Sequence, residues 1–206
     1  MAEKFDIHQL YEAKSREAVR AAYDIWAADY DEQIVNGGWE SPGLVTAAAA
    51  PYLDKDAPIL DAGAGSGLMG LALRAAGFTT LDALDPSPGM LEMARKKGIY
   101  RKHIEAFLGE PLDLADDSYQ AVLASGVFTP GHAPPTAFDE LIRIVRPGGV
   151  LAFTLRQDTP PEGFHEAMAA HEKAGRWTRV SRSEPWQSLA RYEPEVFHEI
   201  WIWRVA

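Results

Sequence analysis

The sequence predicts an α/β chain: one doubly wound sheet of seven strands, mostly parallel, ending in an antiparallel hairpin and preceded by a helical cap. Three observations carry this expectation. Strand-like and helix-like patterns alternate between residues 57 and 155, which argues for a parallel sheet covered on both faces. The run Ile59-Leu60-Asp61-Ala62-Gly63-Ala64-Gly65-Ser66-Gly67 sets three glycines at alternate positions between an apolar strand end and a helix-favouring run. Two strand-like runs, 177–185 and 194–205, close the chain with no helix between them. They can pair only antiparallel, because a parallel pair needs a longer crossover.

The elements follow in order. Val19, Ala22, Tyr23, Trp26, Ala27 and Tyr30 recur at three-to-four spacing, so residues 11–30 read as one amphipathic helix. Asn36-Gly37-Gly38 breaks the chain, and a second helix is expected over 42–52. Strands are expected near 57–61, 80–85, 102–108, 121–124 and 150–155, with helices near 68–76, 89–97 and 136–145 between them. In the last of these, Phe138, Leu141, Ile142 and Val145 share a face that Asp139, Glu140 and Arg143 avoid. Pro147-Gly148-Gly149 then turns the chain into a strand. A helix over 162–174 precedes the final hairpin. No internal repeat or low-complexity tract interrupts this order.

Length and composition bound the rest. At 206 residues, one domain over 1–206 is the default, with the cap in 1–55 and the sheet core in 56–206. No window of eighteen apolar residues exists, so no membrane-spanning helix is expected. The charged start at residues 1–6 lacks the apolar core of a signal peptide. The absence of cysteine excludes disulfides, a thiolate nucleophile and a cysteine-based zinc site, and fits a cytoplasmic protein. His165 and His171 share no helix face and the chain has no HExxH, so no metal is expected. The net charge of −10 opposes nucleic acid, whose affinity rests on phosphate contacts. A small molecule is the expected partner, with the chain acting as a monomer or homodimer.

The glycine turn lets a ligand touch backbone, since glycine has no side chain to hold it away. Gly65-Ser66-Gly67-Leu68-Met69-Gly70 also matches GxGxxG, the dinucleotide fingerprint. A pyrophosphate on this loop would sit near the Asp61 carboxylate, which is unfavourable. A ligand carrying an ammonium and a sulfonium meets no such repulsion. An ordinary strand-to-helix turn is the plainest alternative. After the second strand comes Asp85-Pro86-Ser87-Pro88-Gly89-Met90-Leu91. Asp85 stands where an acid would receive the two hydroxyls of a ribose, and Ser87 suits the helix cap that would otherwise occupy Asp85.

The apolar-apolar-Asp-x-Gly-x-Gly-x-Gly run resembles motif I of the class I S-adenosylmethionine-dependent methyltransferases. Asp85 with Ser87 and Met90-Leu91 resembles motif II, and Arg143-Ile144-Val145-Arg146-Pro147-Gly148-Gly149 resembles the turn before the fifth strand. The resemblance covers roughly residues 55–155. Tyr23-Asp24-x-Trp26-Ala27-x-x-Tyr30-Asp31 and Ser125-Gly126-Val127-Phe128-Thr129-x-Gly131-His132 are similar to the Williams–Beuren syndrome chromosome region 27 type within that family. The resemblance implies a Rossmann-like fold and S-adenosyl-L-methionine as cofactor, with S-adenosyl-L-homocysteine as its product. It implies cofactor contacts from Asp61, Gly63, Ala64, Gly65 and Gly67 on the first loop, and from Asp85, Pro86 and Met90 on the second. Leu108 and Gly109 would follow the third strand and Ser125 the fourth, with Trp26 and Tyr30 laid over the cofactor as a lid. Many relatives carry an Asp after the third strand that receives the adenine amino group. Here Ala106-Phe107-Leu108-Gly109-Glu110 offers none in that place, which leaves backbone near Leu108 and Gly109, the faces of Phe107 or Met90, or the Glu110 carboxylate.

Methyl transfer from a sulfonium needs neither metal nor nucleophilic side chain; the protein supplies binding, orientation and electrostatics. A base is needed only where the acceptor arrives protonated. His132, just beyond the fourth strand, is the candidate, against a purely structural role in capping or backbone bonding. The acceptor site is expected between the N-terminal helices, residues 128–135 and the loops before the final strands, with Tyr23 and Tyr30 able to line it or to serve as core. Two rival functions remain: a nucleotide-dependent oxidoreductase reading GxGxxG, and a non-catalytic module that binds the cofactor without turnover.

Overall fold

The computed structural model describes residues 15–129, 131–157 and 162–206. Residues 1–6, residues 11–14 of the first expected helix and Pro130 of the expected acceptor segment lie outside them. The strands are β1 Ile59–Ala62, β2 Leu81–Asp85, β3 Lys102–Glu105, β4 Tyr119–Phe128, β5 Val145–Arg156, β6 Trp177–Arg182, β7 Trp186–Gln187 and β8 Phe197–Val205. They form one sheet in the order β3-β2-β1-β4-β5-β8-β6, and β7 pairs with β8. The first five strands are parallel. β8 runs antiparallel to β5, β6 and β7. The expected seven strands are the members of the main path, and the two-residue β7 is the addition.

Every residue of β1 and β2 is buried, as a central parallel strand covered on both faces requires. The helices are α1 Arg16–Trp26, α2 Tyr30–Asn36, α3 Ser41–Ala49, α4 Leu68–Ala75, α5 Pro88–Lys96, α6 Ala137–Ile144 and α7 Phe164–Lys173. Helices α3, α4 and α5 fill one core with Val45, Leu73 and Leu91. The other core takes α6 and α7, where Phe128, Phe138, Phe153 and Phe164 pack with ring centroids 5.1 to 5.5 Å apart. A third cluster, Val19, Trp26, Ile34 and Leu189, holds the cap.

Strand β3 ends at Glu105 rather than 108, β5 begins at Val145 rather than 150 and takes in Pro147-Gly148-Gly149, β6 ends at Arg182 rather than 185, and β8 begins at Phe197 rather than 194. Three other differences bear on the cap and the site. The first helix does not run on to residue 30. The Asp29 N–H bonds the Trp26 carbonyl at 3.0 Å, and the chain restarts as α2. No glycine or proline marks this break; tertiary packing sets it, since the bend turns both Trp26 and Ile34 onto the same cluster. The second helix ends at Ala49 and tightens into a 3₁₀ turn, Ala50–Tyr52, that contains Pro51. Strand β4 continues four residues beyond Ala124 to Phe128. Ala124 pairs with Phe153 and Phe128 with Leu155, so Ser125, Gly126 and Val127 stand opposite Thr154 alone. This bulge carries Ser125 and Gly126 out of the ladder at the sheet's carboxyl end, where such irregularities re-aim side chains. Gly126 has φ +72°, and a side chain there would meet the Trp39 ring at 3.0 Å.

Candidate active site

The strand order reverses at β1, which lies between β2 and β4, and open α/β sheets bind ligands at such a point outside the carboxyl ends of the strands. A cavity of about 730 Å³, partly open to solvent, lies there. Gly63 and Gly65 line it from the β1 loop, and Asp85, Pro86, Ser87 and Met90 from the β2 loop. Phe107 and Leu108 follow β3, Ser125 and Val127 come from the β4 bulge, and His132 follows. Helix α1 contributes Arg16, Val19, Arg20 and Tyr23, and Tyr30 starts α2.

Asp85 is the best-held carboxylate in this cavity. One oxygen accepts the Gly65 N–H at 2.8 Å and the other the Ser87 N–H at 2.9 Å. A carboxylate has further lone pairs, so both oxygens can still receive donors from the cavity. Burial pushes Asp85 up to about 6, aided by the nearby Asp24 charge and opposed by the two backbone N–H groups. The helix cap falls to Ser87, whose Oγ accepts the Met90 N–H at 3.0 Å. Gly65 has φ +52° with open space where a side chain would point.

Other expected contacts lie elsewhere. Asp61 is 1% exposed and turned beneath the loop, where it accepts the Tyr100 hydroxyl. Tyr100 in turn accepts the Gly70 N–H at 3.0 Å. Burial pushes Asp61 up to about 7, and the Asp85 charge adds to this against the Tyr100 bond. Ala64 is core beneath the same loop, and Gly67 begins α4 with φ 98°. Gly109 backs onto Pro134, which a side chain there would meet at 2.4 Å. None of these side chains lines the cavity. Glu110 pairs with Arg16 at 2.7 Å and is half exposed, so it is a surface ion pair. Arg16 also donates to the Leu108 carbonyl at 3.3 Å and lies 5.0 Å from the Phe107 ring centroid. Trp26 lines a neighbouring cavity and not this one, packed against Tyr23 and Tyr30, which line both.

His132 caps no helix. Its Nε2 lies 3.1 Å from the Tyr23 hydroxyl, and its Nδ1 lies 2.9 Å from Thr129 Oγ1. Burial and the charges of Asp85 and Asp31 push the Tyr30 hydroxyl up, so it stays protonated.

Sequence reading missed how the cap is fastened. Asp24 accepts from Ser87 Oγ at 2.6 Å and from the Gly89 N–H at 2.9 Å, at the start of α5. Asp31 accepts from Ser66 Oγ in the glycine loop and from Lys97 Nζ at 2.7 Å. Lys97 also donates to the Ser66 carbonyl at 2.7 Å. Each Tyr-Asp pair of the cap therefore divides its work: the tyrosine lines the cavity and the aspartate bonds a loop of the sheet. The repeat of Tyr-Asp seven residues apart was the available signal.

Residues 60–153 match the family profile described as a methyltransferase domain. The human "Methyltransferase-like protein 27" is 37% identical over 163 residues, 75% of this chain. The chain belongs to the class I S-adenosylmethionine-dependent methyltransferases. It spans 66% of that human relative's length and 46% of a "Demethylmenaquinone methyltransferase" from Clavibacter sepedonicus, 36% identical over 118 residues. The methyltransferase fold recurs in solved structures at lower identity. A chain from the complex between the Haloferax volcanii Trm112 methyltransferase activator and a methyltransferase superposes with TM-score 0.70 at 20% identity, covering 91% of this chain and 97% of that one. Among the described residues, no helix is long and apolar enough to cross a membrane.

The cavity suits the family's cofactor. Asp85 offers a carboxylate to a cis-diol, while Phe107 and Met90 offer apolar faces to an adenine. The backbone of Gly63 and Gly65 faces the cavity from the β1 loop.

Proposed function

We propose that this chain transfers a methyl group from S-adenosyl-L-methionine to a small molecule held in a second chamber beside the cofactor cavity. The observation that carries this reading is a shared wall. A space of about 530 Å³, also partly open, adjoins the first. Tyr23, Tyr30, Ser125, Gly126 and His132 line both. In-line displacement needs donor and acceptor brought together across such a boundary, with the reacting atoms aligned. The cofactor supplies an activated methyl group: the acceptor's lone pair forms the new bond as the carbon–sulfur bond breaks, leaving its electron pair on sulfur.

The protein's own residues orient and exclude water. The carboxylate of Asp85 fixes the ribose, and the bulge at Ser125 and Gly126 keeps the wall between chambers thin. Helices α1 and α2 cover both, fastened by Asp24 and Asp31. His132 takes the acceptor's proton where there is one. The residue set does not suit a dinucleotide site reading GxGxxG, since the Asp85 carboxylate accepts the Gly65 N–H of that loop and would oppose a pyrophosphate there. The limited, partly open acceptor space and the net charge of −10 favour a small acceptor over nucleic acid. The cysteine-free composition supports a cytoplasmic setting. The experiment is incubation of the chain with methyl-labelled S-adenosylmethionine and a metabolite extract. A labelled small product formed together with S-adenosylhomocysteine is the expected result. Label found only in macromolecules would overturn the small-molecule reading, and cofactor binding without any turnover would favour a non-catalytic module.

A further inference from the structure

The second chamber has a largely aromatic lining with one carboxylate, Glu193, and the imidazoles of His132 and His198. Trp26, Tyr30 and Trp39 turn aromatic surface toward it, with Trp26 and Tyr30 packed edge to face at 4.7 Å between centroids. The Trp39 ring lies against the Gly126 backbone, where any side chain would collide with it. Glu193, 4% exposed, adds a carboxylate. Among the described residues that line the chamber, none is a lysine or an arginine. Aromatic faces attract cations through their quadrupole, and a carboxylate beside them has lone pairs to receive an ammonium's N–H groups. An anionic acceptor would find neither a guanidinium nor an ammonium to receive it. Ser125 Oγ, at the wall common to both chambers, is buried and without a hydrogen-bond partner. It is available to orient a polar atom brought there.

We propose that the second chamber recognises the methyl acceptor as a protonated amine carried on an apolar body. This rests on the methyl-transfer reading and deepens it. The ammonium binds between the aromatic faces and Glu193. It gives one proton to the Tyr23 oxygen as the Tyr23 proton moves to His132 Nε2, 3.1 Å away. The freed nitrogen lone pair takes the methyl carbon, the carbon–sulfur pair stays on sulfur, and one proton is released overall.

The test uses the full chain saturated with S-adenosylhomocysteine and titrated by calorimetry with three probes of one shape. Tryptamine is the cation, tryptophol the neutral analogue and indole-3-propionate the anion. Tryptamine is expected to bind at least tenfold more tightly than indole-3-propionate. Glu193→Gln should remove most of that preference, and Trp39→Leu should weaken tryptamine several-fold, while both keep S-adenosylhomocysteine affinity within about twofold. The two variants act on different walls, so loss of fold in one leaves the other informative. Equal or tighter binding of indole-3-propionate, or no measurable binding of tryptamine, overturns the proposal. Failure of S-adenosylhomocysteine itself to bind strikes the methyl-transfer reading instead.

Discussion

At Asp85 a single carboxylate joins two loops and faces the cavity. It accepts backbone N–H groups from Gly65 and Ser87, so the residue that receives the ribose also fixes the loop that borders it. Asp85→Asn keeps an acceptor but removes the charge. It should weaken S-adenosylhomocysteine binding by about 1.5–3 kcal/mol, the scale of hydrogen bonds to a charged group, as calorimetry would show. The pH dependence follows from the same burial. Asp85 and Asp61 are raised from 3.8 to about 6 and about 7. The folded chain therefore holds extra protons between the ordinary carboxylate range and those values. Stability from these two groups is full below about pH 4 and is lost as pH rises through 6 and then 7. Ribose hydroxyls favour the ionised Asp85, so cofactor affinity should run the other way: it weakens as pH falls below about 6, and binding at pH 6 should release protons to the buffer. Affinity unchanged from pH 7 to 5 would separate Asp85 from the ligand. At His132, both ring nitrogens are engaged by side chains. His132→Ala should lower turnover by roughly 10²–10⁴-fold with cofactor affinity nearly intact, the range for a general base; an undiminished rate would leave His132 a positioning residue.

Among the elements, the loops between strands and helices do most to define the site. Gly65 faces open cavity at positive φ, so Gly65→Val places a branched side chain in the ligand's space and strains the backbone besides. Cofactor binding should be lost while circular dichroism still reports the sheet; normal binding by this variant would move the cofactor off the loop. The cap is held by polar side-chain bonds to the loops as well as by its own apolar cluster. Asp24→Ala with Asp31→Ala removes its bonds to Ser87, Gly89, Ser66 and Lys97. Hydrogen exchange in α1 and α2 should quicken, and cofactor affinity should fall about tenfold or more; slow exchange in the double variant would mean that Val19, Trp26 and Ile34 hold the cap alone. Strands β1 and β2 were legible in the sequence because a fully buried parallel strand reads as an apolar run, and α4 and α5 because their starts carry glycine or a Ser-Pro cap. The break between α1 and α2 and the β4 bulge were not legible. Both are set by packing between distant segments, Trp26 with Leu189 and Gly126 with Trp39, and local propensity carries no trace of either.

For the whole molecule, topology decides where chemistry can occur. The reversal of strand order at β1 opens the crevice, and the cap closes it from above. The sequence showed which loops face that crevice, since Asp85, Gly63 and Gly65 follow predicted strands. It did not show that Asp61 turns inward, because its partner Tyr100 lies 39 residues away with no spacing signal. Nor did it show that Trp26 belongs to the second chamber. The division of one crevice into two chambers with a common wall is a property of the assembled fold, and it underlies both the methyl-transfer reading and the charge preference inferred for the acceptor. The central claim is that the first chamber is built for S-adenosylmethionine rather than for a dinucleotide. Paired calorimetric titrations of the full chain at neutral pH, one with S-adenosylhomocysteine and one with NAD, test it most directly. Saturable binding of S-adenosylhomocysteine, at least a hundredfold tighter than NAD and sharply weakened by Asp85→Asn, is the predicted result. Tighter binding of NAD, or S-adenosylhomocysteine binding indifferent to Asp85, would contradict it.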